Sequence, residues 1–372
     1  MNKDKLITIG IPAFKAQQHI CDCLASIQIQ TIYDEVTIII ANDNPGDDYS
    51  FVYDLFPKLD IVILDCDKNT GPGLARQRCL DAAKTQWITW IDADDVFFTP
   101  LSIEYLKMGI QQNVIEVQGT FFQEVEPNMQ NIRTIPRNDS GHPWVFGRLY
   151  NVNFLKQSNI GFSELRAMED GELQWKIRMT IEGTPFMINI IDAPIYLWRT
   201  GSDHSITRIG IEENDGIPLY NYDLCQVGAT KAAINAIKFC RKTNPFNGSI
   251  IRFTTEMMVG QYFTYVECLG RKPMFAKQNF FNAKRFYHEC YKEIESQIDD
   301  DVLKSMYTMQ LASKAQDLVD IIPEITFFDF MHKVRTESYG GRNEFEQIRN
   351  ELPEWVVKLD LKSGVLGTEG YI

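Results

Sequence analysis

Asp92-Ala93-Asp94 sets two carboxylates two residues apart where an aliphatic run gives way to a turn. Side chains so spaced point together once a strand breaks. Paired hard oxygens suit Mg2+ or Mn2+, cations that keep waters and take further oxygens from a phosphate. A solvated acidic turn, with Asp95 capping a helix, is the alternative for such a pair. Glu169-Asp170 is a second acidic pair, ahead of a stretch carrying Leu173, Trp175 and Ile177. A carboxylate near the metal motif could take a hydroxyl proton in a displacement. At a helix N-terminus it is also a cap, an arrangement that lowers its pKa. Asp43 can accept from a nucleobase N–H or a ribose hydroxyl, or close an Asx turn. Arg76 and Arg78 fall in the first turns of a helix, Arg76 placed to face an anionic ligand and Arg78 to face solvent. Gly71-Pro72-Gly73 before them is not a P-loop, because no Gly-Lys-Ser/Thr follows. In the polar loop from Trp198 to Ser205, His204 is a candidate metal ligand and Arg199 a candidate counter-charge for a leaving diphosphate; a lone His or Arg in a loop is as readily neither.

These residues sit at the ends of apolar runs. Residues 6–11, 36–41, 61–64 and 87–91 read as strands, near-continuously aliphatic or aromatic. Between them Ile20, Leu24 and Ile27 recur at helical spacing, and Gly71-Pro72-Gly73 opens a helix to about residue 84. Such alternation predicts a parallel sheet with helices on both faces, which binds ligands beyond the carboxyl ends of its strands. Asp43, the 69–73 turn and Asp92–Asp95 all fall at those ends and converge on one crevice. Residues 115–136 read as hairpins beside the main sheet, 151–159 and 170–181 as helices, and 186–198 as a strand. Past residue 211 the chain turns Tyr-, Phe- and Met-rich and helical, so two domains are expected, 1–214 and 215–372, with a loose tail after residue 361.

The chain has 372 residues, 44% apolar and 23% charged, with a net charge of −13. That disfavours a uniformly basic nucleic-acid binder. No run reaches the ~18 apolar residues that span a bilayer, and the N-terminus lacks a signal-peptide core. Eight scattered cysteines with no Cys-x-x-Cys point to free thiols in a reducing compartment. The expectation is a cytoplasmic protein, soluble or peripheral at the inner membrane face. Between Lys231 and Lys292 lie eleven basic residues and only Glu256, Glu267 and Glu289, a local +8. A solvated helix face and a polyanion-binding surface are both open at this point. The sequons Asn138-x-Ser140 and Asn247-x-Ser249 carry no weight in a cytoplasmic chain.

Several segments resemble, in order, the family 2 glycosyltransferases. Thr8-Ile9-Gly10-Ile11-Pro12-Ala13-Phe14 resembles their opening strand, and Ile40-Ala41-Asn42-Asp43-Asn44 their second-strand acidic motif. Asn69 through Arg78 is similar to their Asn-x-Gly…Ala-Arg-Asn helix start. Asp92-Ala93-Asp94-Asp95 resembles their DXD metal motif, Glu169-Asp170 the acidic pair with the catalytic base, and Trp198-Arg199…His204-Ser205 the loop that closes on the diphosphate. The match covers residues 6–208. Asn42 stands in place of an Asp, Asn44-Pro45 in place of Gly-Ser and Gln77 in place of Asn, departures that bear on the nucleobase more than on the chemistry.

The resemblance implies an α/β GT-A fold, a Rossmann-like nucleotide-diphospho-sugar transferase domain, here followed by a helical accessory domain. It implies an inverting, Mn2+- or Mg2+-dependent enzyme with a UDP-sugar donor. Pro12, Phe14, Asp43, Arg76, Asp92, Ala93 and Arg199 would contact the nucleotide sugar. Asp92, Asp94 and His204 would hold the metal, and Asp170, beside Glu169, would be the catalytic base. The acceptor is a glycan, a cell-wall polymer or a modified base in DNA, and an oligomer is left open. Nucleotidyl transfer is disfavoured because Pro12-Ala13-Phe14-Lys15 stands where a Gly-rich basic loop is needed. A non-catalytic nucleotide-sugar-binding module is disfavoured by the intact Asp92, Asp94 and Asp170.

Overall fold

The computed structural model describes residues 5–125, 133–137, 143–165, 167–199, 220–243, 248–271, 273–314 and 325–352. Two compact units emerge, residues 1–177 with 181–205 and residues 178–180 with 206–372. The expected boundary at 214/215 lies outside the described residues.

The first unit runs β1 (Ile7–Ala13), α1 (Ile20–Gln28), β2 (Val36–Asn42), α2 (Phe51–Leu55), β3 (Ile61–Leu64), α3 (Pro72–Ala82), β4 (Trp87–Trp90), β5 (Val96–Phe97), α4 (Ser102–Met108), β6 (Val114–Val125), β7 (Arg133–Arg137), β8 (Arg148–Asn151), α5 (Val152–Gln157), α6 (Glu169–Ile181) and β9 (Met187–Trp198). The strands form one sheet in the order β3-β2-β1-β4-β8-β6-β9-β5, with β7 paired to β6. β3, β2, β1 and β4 are mutually parallel. Buried aliphatics of β1 and β2 (Ile7, Ile9, Ile11, Ile38, Ile40) fill the core with Ile20, Leu24 and Ile27 of α1, as the continuous apolar runs require.

Beyond β4 the sheet departs from the parallel expectation. β8 inserts antiparallel to both β4 and β6, and β6 runs parallel to β9. β6 is therefore an interior strand, and only its far end forms a hairpin with β7. The misreading has a physical source. Glu116 and Gln118 look like polar gaps in the sequence, yet both are buried. Glu116 is ion-paired with Arg148 of β8, both side chains fully buried. Gln174 of α6 joins the pair, accepting from Arg148 Nη1 at 3.1 Å and donating to the Tyr150 hydroxyl at 2.7 Å. This polar core bolts α6 to the sheet.

The second unit contains α7 (Tyr220–Thr243), α8 (Gly248–Arg271), α9 (Ala276–Phe286), α10 (Asp300–Lys314), α11 (Phe327–Thr336) and α12 (Gly341–Asn350). α9 is its central helix, packed against α7, α8, α11 and α12. Even Lys284 and Arg285 of α9 are buried. Among the described residues, no helix is long and apolar enough to cross a membrane.

Candidate active site

α3 organises the crevice at the carboxyl ends of β1, β2 and β4. Its entry needs glycine twice. Gly71 has φ +85°, a conformation that L side chains rarely adopt. A Cβ on Gly73 would come within 2.9 Å of the Ser163 carbonyl and 3.2 Å of Glu169 Cβ. The close approach of helix and 163–169 segment brings Arg76, one turn into α3, against the acids at the start of α6.

The Arg76 guanidinium is the hub. Nη2 donates to Asp92 Oδ1 at 2.7 Å, and Nη1 donates to Glu169 Oε1 at 2.6 Å and to Asp170 Oδ1 at 3.1 Å. Burial disfavours its charge, but Asp170, Asp92 and Glu169 together hold it well above the ordinary range. Sequence reasoning placed Arg76 on an anionic ligand; here its anions are protein carboxylates. The Asp92 carboxylate and the acidic pair, which are nearly eighty residues apart, thus meet on one side chain.

Glu169 and Asp170 open α6, as expected. The residue before them, Met168, has φ +65° and provides no side-chain cap. A non-glycine in the left-handed region is strained, and such strain gathers at functional sites. The expected lowering of the cap's pKa does not occur at Asp170. Burial, with Glu169 and Asp92 nearby, outweighs Arg76 and the Val145 N–H (3.2 Å from Oδ2) and pushes its carboxyl up to about 7.

The turn at Asp92–Asp95 is built from below. Asp95, expected as a helix cap, is buried instead. It accepts from the Tyr196 hydroxyl and from Arg199 N, the latter at 2.7 Å. The same Tyr196 oxygen accepts from Asp92 N at 3.2 Å. Burial and the neighbouring Asp94 and Asp92 raise the Asp95 carboxyl well above the carboxylate range. Asp94 is half-buried, and Ala93 packs inward. Asp94 and the second oxygen of Asp92 supply hard donors of the kind Mg2+ and Mn2+ prefer. Among the described residues no group of three or more His, Cys, Asp or Glu could hold a metal, so a cation here would complete its shell with substrate oxygens and water. His204 lies outside the described residues.

The carboxyl ends of β1 and β2 hold the residues expected to seat a nucleoside. Phe14 is 41% exposed just past β1, with Lys15 Nζ 5.2 Å from its ring centroid and Pro12 half-buried behind. Asp43 is almost wholly buried. It accepts from Thr70 N, from Thr70 Oγ1 at 2.6 Å, from Gly71 N at 2.7 Å and from Arg78 Nη1 at 3.3 Å. It therefore anchors the turn into α3 instead of offering a vacant acceptor. Arg78, assigned to solvent from sequence, also donates to the Asn42 carbonyl at 2.8 Å. Asn42 donates to Asp65 at 2.9 Å, which an Asp there could not do without like-charge repulsion. Gln77 accepts from Phe162 N at 2.8 Å, so two of the three departures from the family pattern, Asn42 and Gln77, have local structural roles. Arg199 does not face the crevice alone, since its guanidinium donates to Asp22 of α1 at 2.8 Å.

Tyr196, Val145 and the Glu116–Arg148–Gln174 network carry no signal in the sequence, whereas Arg78 and Asp95 stand out there but in other roles, a solvent-facing side chain and a helix cap. In the second unit, among the described residues, six cations from the basic segment are ion-paired: Lys238 and Arg285 with Glu289, Arg241 with Glu293, Arg252 with Glu256, Lys277 with Glu351 and Lys284 with Glu344. Glu293, Glu344 and Glu351 lie outside the segment and offset part of the local +8.

Residues 8–163 match the family described as Glycosyl transferase family 2. Among curated proteins, the uncharacterized glycosyltransferase EpsJ of Bacillus subtilis is 23% identical over 55% of this chain and 63% of its own. The poly(ribitol-phosphate) beta-glucosyltransferase of Bacillus spizizenii is 25% identical over 44% of this chain and 28% of its own. The chain thus spans less than two thirds of the length of either. Among solved structures, S. aureus TarS 1-349 in complex with UDP-GlcNAc superposes with a TM-score of 0.63 over 94% of this chain and 93% of that one, at 14% identity. At that identity the likeness is one of fold, an α/β GT-A architecture with a helical C-terminal region.

Proposed function

With residues 8–163 forming a family 2 glycosyltransferase domain, we propose that this transferase moves a sugar from a UDP-sugar to a hydroxyl of a cell-wall polymer or surface glycan, with inversion. The observation that carries the reading is the convergence of Asp92, Glu169 and Asp170 on the Arg76 guanidinium. It sets a donor-side carboxylate across one side chain from a buried base.

Asp170, whose carboxyl titrates at about 7, is basic enough to take a proton near neutral pH and ionised enough to be ready for it. It accepts the acceptor hydroxyl's proton as that oxygen attacks the anomeric carbon from the face opposite the diphosphate. The bond to the diphosphate oxygen breaks and its electrons leave with that group. One displacement inverts the centre without a covalent intermediate. Arg76 keeps the base on station and holds Asp92 against its own repulsion with the α6 acids. Asp94 and Asp92 would hold Mn2+ or Mg2+, which supplies charge compensation for the leaving diphosphate. Pro12 and Phe14 seat the nucleoside, and Asp43 supports that seat through the turn at Thr70 and Gly71.

The acceptor class draws support from relatives whose names specify poly(ribitol-phosphate) and teichoic acid poly(glycerol phosphate). A modified base in DNA is less well supported, since it would call for a free cationic face and six of the eleven candidate cations are already paired. A cytoplasmic setting belongs to the same reading, in line with seven free cysteines among the described residues. The test is a thermal-shift series with UDP, UDP-glucose and UDP-N-acetylglucosamine, with and without Mn2+, on wild type and Asp94→Ala. A Mn2+-dependent rise in Tm in wild type, absent from Asp94→Ala, is expected. No shift with any nucleotide would sink the reading.

A further inference from the structure

We propose that Trp144 and Trp198 form a stacking surface for a pyranose ring of the acceptor; the inference rests on the transferase reading above and narrows its acceptor to a ring sugar. Five aromatic rings meet beside the candidate base. Trp144 lies parallel to Phe146 with centroids 5.7 Å apart, and it approaches Trp198 at 5.6 Å and Phe121 at 5.5 Å. Phe146 in turn stacks on Tyr196 at 4.2 Å. Phe121, Phe146 and Tyr196 are buried, whereas the two indoles are half-buried and form the open rim of the cluster.

The rim adjoins the chemistry from two directions. Val145, between Trp144 and Phe146, donates its N–H to Asp170 Oδ2 at 3.2 Å. On β9, Tyr196 and Trp198 are two residues apart and so share a face of the sheet; on that face the Tyr196 hydroxyl holds Asp92 and Asp95. An acceptor hydroxyl that gives its proton to Asp170 must come within about 3 Å of it. The ring bearing that hydroxyl then lies within reach of a side chain one residue from Val145. A pyranose presents an apolar C–H face inside a rim of hydroxyls, and the negative face of an indole is its chemical complement.

An acyclic polyol phosphate is a poorer match. It would ask for cations near the reacting hydroxyl, and among the described residues Arg76 is engaged by Asp92, Glu169 and Asp170 and Arg199 by Asp22.

The test uses the full chain, UDP-glucose and UDP-N-acetylglucosamine as donors, and a panel of methyl pyranosides beside ribitol 5-phosphate as acceptors. Trp144→Leu and Trp198→Leu are expected to raise the KM of the best pyranoside about tenfold, equal to about 1.4 kcal/mol. Trp144→Phe, which keeps a ring on Phe146, gives an intermediate rise and serves if the Leu variant fails to fold. A thermal shift with UDP reports that each variant keeps its fold and donor side. Wild-type acceptor KM in the Trp144 variants overturns the inference. So does a wild type that binds UDP yet transfers to no pyranoside, a result that leaves the transferase reading standing. A wild type that neither binds UDP nor transfers a sugar fails both.

Discussion

Replacing Asp170 by Asn should abolish transfer and, in the same stroke, stabilise the free protein above neutral pH. Burial and the neighbouring carboxylates push the carboxyl up to about 7 in the fold, against an ordinary 3.8. At about 1.36 kcal/mol per unit, holding it ionised in its buried position costs about 4 kcal/mol. The sign follows from the raised value. Below pH 4 the group is protonated in both states and costs nothing. Between pH 4 and 7 the folded state keeps a proton that the unfolded chain has lost, so stability falls by about 1.4 kcal/mol per pH unit, and above pH 7 the loss is complete. The Asn variant lacks this titration. Its side-chain oxygen still accepts from Val145 N, and Arg76 keeps Asp92 at 2.7 Å and Glu169 at 2.6 Å. Its amide N–H2 sits badly against the guanidinium, at about 1–3 kcal/mol, which leaves a net gain of about 2 kcal/mol at pH 8. Urea unfolding of both proteins at pH 5, 6, 7 and 8 in EDTA measures the difference. The wild-type curve should fall relative to the variant's up to pH 7 and then run parallel to it. In wild type, kcat/KM should drop about tenfold per unit below pH 7 as the base is protonated. Parallel stability curves across the whole range, or a variant that transfers at the wild-type rate, would refute the assignment.

Arg76→Met strands three carboxylates and should destabilise the fold by about 3–5 kcal/mol; Arg76→Lys recovers only part, because one ammonium cannot fork across Asp92, Glu169 and Asp170, and urea midpoints rank the three proteins. Tyr196→Phe removes the hydroxyl between Asp92 N and Asp95, with an expected loss of about 1–3 kcal/mol and a smaller Mn2+-dependent Tm rise with UDP. Asp43→Ala frees the N–H groups of Thr70 and Gly71; unfolding should show a loss of about 1–2 kcal/mol, as for a lost helix cap, and titration a weaker UDP affinity. Arg148→Met alone should lose about 3–5 kcal/mol by leaving Glu116 charged and fully buried, while the Glu116→Leu/Arg148→Met double variant comes close to wild type, a pair of denaturation curves that isolates the ion pair.

Local pattern governs the parallel half of the fold and its strand-end residues. The parallel half of the sheet, β3-β2-β1-β4, was legible because its strands are continuous apolar runs punctuated by Pro12, the 42–46 turn and Gly71-Pro72-Gly73. The same pattern put Asp43 and Asp92 at strand ends and Arg76 in the first turns of the helix between them, and the order of motifs pointed to the family. Tertiary structure decided what those side chains do. Arg76 was read as a contact for a bound anion, but its three anions come from Asp92 and the start of α6, a pairing no local window contains. As a helix cap, Asp170 would have a lowered pKa, and burial beside two other carboxylates reverses the sign. Glu116 and Gln118 looked like loop residues because a charge in a strand is recognisable as interior only once its partner, Arg148, is seen across the sheet. The basic segment reads as +8 from sequence, and folding brings Glu293, Glu344 and Glu351 from outside it to offset part of that charge. In each case the sequence specified the charge, while burial and the long-range partner set its energy, since a buried charge is tolerated only beside a counter-charge that folding alone brings near.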